Sequence, residues 1–172
     1  DKAARIAIYY ENAEGVTASY SFAQLKKASD RFANALDALG VCRGDRVAIV
    51  LSQRIETIIA HLAIYKLGAV SLPLAVLFGT EALDYRLRDS AARVAICDAS
   101  KYDTLLDLKP GVPELEHLIG CRVGDKSSEF WQLLERSSDQ LQMAETLADD
   151  PACLIYTSGT TGPPKGALVA HR

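Results

Sequence analysis

The sequence lacks the marks of several large protein classes. It has no CxxC pair, no basic run longer than Lys26-Lys27, and no uncharged apolar stretch as long as a membrane helix. A membrane span needs roughly 18–20 apolar residues. The longest candidates here, Ile55 to Leu67 and Val70 to Phe78, are interrupted by His61, Lys66, Gly68 and Pro73. Nineteen Lys and Arg against 22 Asp and Glu give a net charge of −3, without the electropositive footprint of a duplex-binding protein. Nucleic acid is therefore not expected as a partner.

Cys42, Cys97, Cys121 and Cys153 have neither zinc-finger nor thioredoxin spacing. Three of them adjoin Val41, Ile96 or Leu154, and no electropositive neighbourhood argues for a reactive thiolate. They are expected to be reduced core thiols, as in a cytoplasmic protein. Met143 is the single methionine, so Asp1 is not expected to be a translational start and the chain is expected to be a processed or partial one.

A globular chain is what remains, with 49% of its 172 residues hydrophobic and 24% charged. Size scaling gives roughly 8,000 Å² accessible when folded, about 70% of the unfolded surface being buried. From Tyr20 onward, helical stripes alternate with short apolar runs. Phe22, Leu25, Phe32, Leu36 and Leu39 share one helical face, Ser21 and Gln24 have capping-box spacing, and Gly40 closes the far end. Arg46 to Leu51 then reads as a buried strand, followed by a helix carrying Ile55, Ile58, Ile59 and Leu62 to near Gly68. The pattern continues through strand 69–74, helix 81–89, strand 94–97, a short helix after Ser100, a strand near 117–119 and a helix through Phe130, Trp131, Leu133 and Leu134.

Non-alternating strands joined by helical crossovers require a mainly parallel sheet covered by helices on both faces, an α/β fold. Ile6 to Tyr10 and Val16 to Tyr20 flank a turn-rich segment and predict a hairpin. A turn is marked by Pro110, Gly111 and Pro113, and residues 136–151 form the most polar connection.

Ala152 to Tyr156 reads as one more buried strand, and it runs into TSGTTGPPKG at 157–166. Four hydroxyls, closely spaced glycines and a lysine after a strand end are the chemistry of a polyphosphate cradle. Glycine lets backbone N–H groups approach an anion, hydroxyls add hydrogen bonds, and lysine adds a point charge. The segment departs from the nucleotide-binding template GxxxxGK[ST], because Pro164 stands where that template needs glycine and Gly166 where it needs Ser or Thr. No GxGxxG, GxSxG or HExxH occurs, so the usual signals of dehydrogenases, nucleophile-elbow hydrolases and zinc proteases are missing.

The run LIYTSGTTGPPK at 154–165 resembles the phosphate-loop signature of the adenylate-forming superfamily: acyl-CoA synthetases, peptide-synthetase adenylation domains and luciferases. GALVAHR after it, the stretch from Tyr20 to Leu51, and LAIYKLGAVSLPL at 62–74 are similar to that superfamily's N-terminal region in the same order. The resemblance implies a two-step ligase using ATP, Mg²⁺ and coenzyme A, with a small carboxylic acid as the other substrate. It is most similar to short- or medium-chain acyl-CoA and acetyl-CoA ligases of fatty acid metabolism. It also implies that Thr157, Ser158, Gly159, Thr160, Thr161 and Gly162 wrap the phosphates and that Lys165 steadies the loop or meets the triphosphate. The resemblance further implies that residues 1–172 are the first part of the large domain, that the family's catalytic lysine, metal-binding glutamate and small C-terminal domain are to be expected downstream, and that the chain alone is catalytically silent. An adenylation domain loading a carrier-protein thiol, an aryl-acid ligase and a non-catalytic nucleotide-binding module stand as alternatives.

The remaining polar and aromatic residues have plainer readings. His61 and His117 have no partner at metal-ligand spacing, and His171 suits packing or capping as well as substrate contact. Trp131 belongs to a helical core, Tyr9, Tyr10 and Tyr20 to strands, and Asp84, Arg86, Arg88 and Asp89 to a solvated helix face. The sheet of such a partial domain is expected to leave an edge uncovered.

Overall fold

In a computed structural model of the chain, residues 1–12, 15–122, 128–157 and 162–172 are described. Strands β1 (Ile6–Glu11) and β2 (Thr17–Ser21) pair antiparallel as a separate two-stranded sheet, the hairpin expected from their sequence. Ser21 ends β2 and caps helix α1 (Phe22–Ala38). Its hydroxyl accepts from the Gln24 amide at 3.2 Å, and its own N–H donates to Gln24 Oε1 at 2.7 Å. Both arms of the capping box are thus made. At the other end Gly40 takes φ +83°, a left-handed conformation that a side chain would oppose.

The main sheet is built from β3 (Arg46–Val50), β4 (Val70–Pro73), β5 (Ala92–Asp98), β6 (His117–Cys121), β7 (Pro151–Thr157) and β8 (Lys165–Ala170). Its spatial order is β6-β5-β3-β4-β7-β8, and every neighbouring pair is parallel except β7 and β8. The connecting helices are α2 (Ile55–Lys66), α3 (Thr80–Ser90), α4 (Ala99–Leu108) and α5 (Glu129–Arg136), with a short 3-10 turn at Lys109–Gly111.

Because side chains alternate across a strand, β3 and β5 each feed two cores. Val47, Ile49, Val94 and Ile96 face α1, α2 and α5, where they meet Phe32, Leu36, Ile59, Ala63 and Phe130. Ala48, Val50, Ala95 and Cys97 face α3 and α4, meeting Leu83, Leu87 and Leu105. This double burial is why 47–50 and 94–97 are apolar at every position. Phe32 and Phe130 fix the α1–α5 crossing, with ring centroids 4.2 Å apart.

Several sequence expectations are corrected. Strand β8 was not foreseen, and it closes the parallel sheet with an antiparallel edge. The strand read as buried at 152–156 is buried only at Ala152 and Leu154, while Ile155 is exposed. Its outer neighbour β8 has exposed Leu168 and Val169. Phe22 lies in the first turn of α1 and points outward rather than along the apolar face. Cys42 is exposed, and Cys121, the cysteine without an adjoining apolar residue in the sequence reading, is buried. All four thiols are free, and burial pushes those of Cys97 and Cys121 up to about 12. They are therefore inert at neutral pH.

The accessible surface is 9489 Å², above the roughly 8,000 Å² that size scaling gives for a compact monomer.

Candidate functional site

Since β7 runs parallel to β4, its C-terminal end lies on the same sheet edge as those of β3, β4, β5 and β6. Ligands of open α/β sheets sit at that edge. The TSGTTGPPKG segment is the connection from β7 to β8, so the chain delivers it there.

Thr157 ends β7 and pairs in the ladder with Lys165, which begins β8; the two residues form the neck of the connection. Both side chains are exposed. Gly162 takes φ +107°, a conformation closed to most side chains, and its neighbourhood is open. Ser158, Gly159, Thr160 and Thr161 lie outside the described residues. The structure therefore brings Thr157, Gly162 and Lys165 to one end of the β7–β8 ladder, and the stiff Pro163-Pro164 pair leads directly into Lys165.

Helix α3 packs against the base of this connection. Tyr85 donates its hydroxyl to the Pro164 carbonyl at 3.1 Å, and Tyr156 donates its hydroxyl to Asp89 Oδ2 at 2.5 Å. The two tyrosine rings meet edge to face at 6.3 Å. Between them the Arg86 guanidinium lies 4.2 Å from the Phe78 ring centroid and 5.6 Å from that of Tyr156, and donates to the Ala82 carbonyl at 2.7 Å. Burial, then the bond to Asp89, raises the Tyr156 phenol above its ordinary value, so it remains a donor.

These contacts correct the sequence reading of a solvated helix face. Arg88 does pair with Asp84 at 2.8 Å on the outer side, but Arg86 is only 8% exposed. Among the described residues no carboxylate lies within ion-pair distance of Arg86, and its Nε has no hydrogen-bond partner. The available signal was the spacing of Tyr85 and Asp89, four residues apart and hence on one helical face.

The crevice where β3 and β5 send their helices to opposite faces is the topological switch point of the sheet, a second place where a ligand is expected. Here it is filled by the protein itself. Arg54 Nε donates to Glu56 Oε2 at 3.0 Å, and Arg54 Nη1 donates to Asp98 Oδ1. Asp98 Oδ2 accepts from the Ser52 amide at 2.9 Å, and Trp131 Nε1 donates to Glu56 Oε1 at 2.9 Å. Trp131 is therefore a half-buried helix residue with a polar task. His61 has its Nδ1 3.2 Å from the Tyr65 hydroxyl.

A mainly parallel six-stranded sheet flanked by helices, with a Thr-, Gly- and Lys-bearing connection on its C-terminal edge, defines an α/β protein of the open-sheet class. The family described as "AMP-binding enzyme" matches residues 1–172, and the chain belongs to that family. It is 36% identical over 95% of its length to an acetyl-coenzyme A synthetase of Streptomyces coelicolor, covering 28% of that protein. It is 33% identical to a crotonobetaine/carnitine–CoA ligase of Salmonella paratyphi A, over 97% of this chain and 34% of the relative. Among solved structures, an anthranilate CoA ligase bound to anthranoyl-AMP superimposes on 99% of the chain with a TM-score of 0.89 at 28% identity, and 32% of that protein is covered. The chain thus spans about a third of the length of the relatives it matches.

Proposed function

We propose that this chain is the N-terminal portion of the large domain of an ATP-dependent carboxylate–CoA ligase, and that residues 157–165 hold the nucleotide's phosphates. In the first step a carboxylate oxygen attacks the α-phosphorus of ATP, the bond from that phosphorus to the oxygen bridging to the β-phosphate breaks, and pyrophosphate leaves. In the second the sulfur of coenzyme A attacks the acyl carbon, AMP leaves with the electron pair of the broken bond, and the thiol proton passes to solvent or a base.

The observation that supports this reading is the position of Thr157, Gly162 and Lys165, the described ends of the TSGTTGPPKG segment, at the β7–β8 neck on the C-terminal edge of the parallel sheet, in a chain of the AMP-binding family. The first step sets an anion against a polyanion, so it needs donors already in position. Thr157 and Gly162 supply a hydroxyl and unobstructed backbone, and Lys165 supplies a positive charge at the loop's exit. Among the described residues no group of three His, Cys, Asp or Glu could hold a metal ion. Mg²⁺ would arrive on the triphosphate.

A short- or medium-chain fatty acid, acetate included, is the favoured substrate, in line with the similarity to an acetyl-CoA synthetase. The structural likeness to an anthranilate CoA ligase favours an aryl acid as the second reading. No helix among the described residues is long and apolar enough to cross a membrane, and we place the protein in the cytoplasm.

Carboxylate-dependent ATP–pyrophosphate exchange by the full-length gene product, over fatty, aryl and amino acids, tests the proposal. Exchange with one acid class is expected, and Lys165→Ala should raise the KM for ATP about ten- to hundredfold, the scale of one charge-assisted hydrogen bond. No exchange with any acid, from folded protein that still binds ATP, would refute the ligase reading in favour of a nucleotide-binding module. Transfer to a carrier-protein thiol but not to coenzyme A would make it a carrier-loading adenylation domain.

A further inference from the structure

We infer that helix α3 positions the phosphate loop from both of its ends, Tyr85 through the carbonyl of Pro164 and Asp89 through the hydroxyl of Tyr156. The inference rests on the reading of residues 157–165 as a phosphate loop and adds residues 80–90 to its machinery.

The geometry has three parts. Tyr85 and Asp89 lie one helical turn apart on α3, so a single rigid element presents both groups in the same direction. Their partners bracket the loop, since Tyr156 is the residue before Thr157 and Pro164 is the residue before Lys165. Beside the two contacts, the tyrosine rings meet edge to face and the Arg86 guanidinium lies over the Phe78 and Tyr156 rings.

The consequence for the loop follows from peptide planarity. The Pro164 carbonyl and the Lys165 N–H belong to one rigid plane, so a donor on that carbonyl fixes the orientation from which the Lys165 side chain departs. Proline has no N–H of its own, which leaves this carbonyl as the only backbone group through which Pro164 can be held. On the incoming side, the Asp89 carboxylate fixes Tyr156 and with it the register at which β7 hands over to Thr157.

Neither contact is required to form the sheet. The β7–β8 ladder runs from Pro151 to Thr157 without them, and α3 is anchored independently by buried Leu83 and Leu87. Tyr85 and Asp89 are therefore positioning residues: they act on the nucleotide through the loop rather than by touching it.

The test uses the full-length protein with Tyr85→Phe, Asp89→Ala and Asp89→Asn. Tyr85→Phe keeps the ring and removes only the donor, while Asp89→Asn keeps an acceptor oxygen for Tyr156. In Tyr85→Phe and Asp89→Ala, hydrogen exchange at the amides of Thr157, Lys165 and Gly166 should quicken about fivefold, the worth of one net hydrogen bond. The KM for ATP should rise about fivefold with the KM for the carboxylate unchanged and the melting temperature lowered by no more than about 2–4 °C, and Asp89→Asn should stay near the unsubstituted protein. Unchanged amide exchange in both Tyr85→Phe and Asp89→Ala overturns the inference, and so does quicker amide exchange with an unchanged ATP KM in an active enzyme. Quicker amide exchange in a protein that shows no adenylation with any acid leaves the clamp standing and refutes the ligase reading instead.

Discussion

Two places on one sheet edge hold charge in opposite ways. At the β3–β5 crevice, Arg54 is held between the Glu56 and Asp98 carboxylates, so that the cation has its counter-charge within the chain. At the β7–β8 neck, Lys165 is exposed, and Arg86 is buried against aromatic rings with no carboxylate among the described residues in ion-pair reach. The same topology offers a ligand site at both places. What separates them is whether the cation is paired: Arg54 is held by carboxylates in a buried site, while among the described residues neither Lys165 nor Arg86 has a carboxylate partner.

The largest effect that would break the comparison is at Arg54. Arg54→Ala strands two acidic groups in a buried site, and loss of one partner from a buried pair costs about 3–5 kcal/mol. Urea unfolding should show this as a lowered midpoint, with the ATP KM of the remaining folded enzyme unchanged. A raised ATP KM in Arg54→Ala would mean that the crevice takes part in nucleotide binding after all.

A smaller effect is expected at Arg86. Arg86→Met keeps a long apolar stem between Phe78 and Tyr156 but removes a buried charge that lacks a carboxylate partner. The lost cation–π contacts, about 0.5–2 kcal/mol, oppose the relief of desolvation, so unfolding stability should change by less than about 1 kcal/mol. A loss as large as that of Arg54→Ala would show that Arg86 has a counter-charge and that the two places are alike.

The helix start at Ser21 provides a sharper scale between these, because both capping bonds are present and the site is remote from either place. Ser21→Ala should lower stability by about 1 kcal/mol in urea unfolding and leave ATP handling unaltered.

Much of this architecture was legible in the residues. The alternation of helical stripes and apolar runs placed α1 through β7, because strands buried on both faces cannot hide their composition. The TSGTTGPPKG segment stood out through its own glycines, hydroxyls and Lys165, and its described ends, Thr157 and Lys165, pair at the end of the β7–β8 ladder. Strand β8 was not, since KGALVA is exposed at nearly every position and carries no burial pattern. Arg86 was misread for a related reason: charges at 84, 86, 88 and 89 look like one solvated face, and only the depth of Phe78 and Tyr156 around the helix separates the buried cation from the Asp84–Arg88 pair. The sealed crevice was also invisible, because Arg54 and Asp98 are 44 positions apart and only the parallel register of β3 and β5 unites them.

Between the covered sheet and the β7–β8 end runs a chain of polar groups, from His61 Nδ1 to the Tyr65 hydroxyl, to Ser71 Oγ at 3.2 Å, and from Ser71 to the Ala152 carbonyl at 3.3 Å. Burial lowers the His61 pKa below its ordinary 6.5, so the folded protein holds the imidazole neutral. Above pH 6.5 the ring is neutral in both folded and unfolded chains and makes no pH-dependent contribution. As pH falls through 6.5 the unfolded chain takes up a proton first, and folding stability declines until the folded ring also protonates. The urea midpoint should therefore be lower at pH 5.5 than at pH 7.5, and His61→Gln should flatten that difference. An equal pH dependence in His61→Gln would assign the acid sensitivity to other groups. A steeper loss at the β7 amides than at those of β5 on acidification would show that this chain, rather than the core as a whole, couples the loop-bearing end to the rest of the sheet.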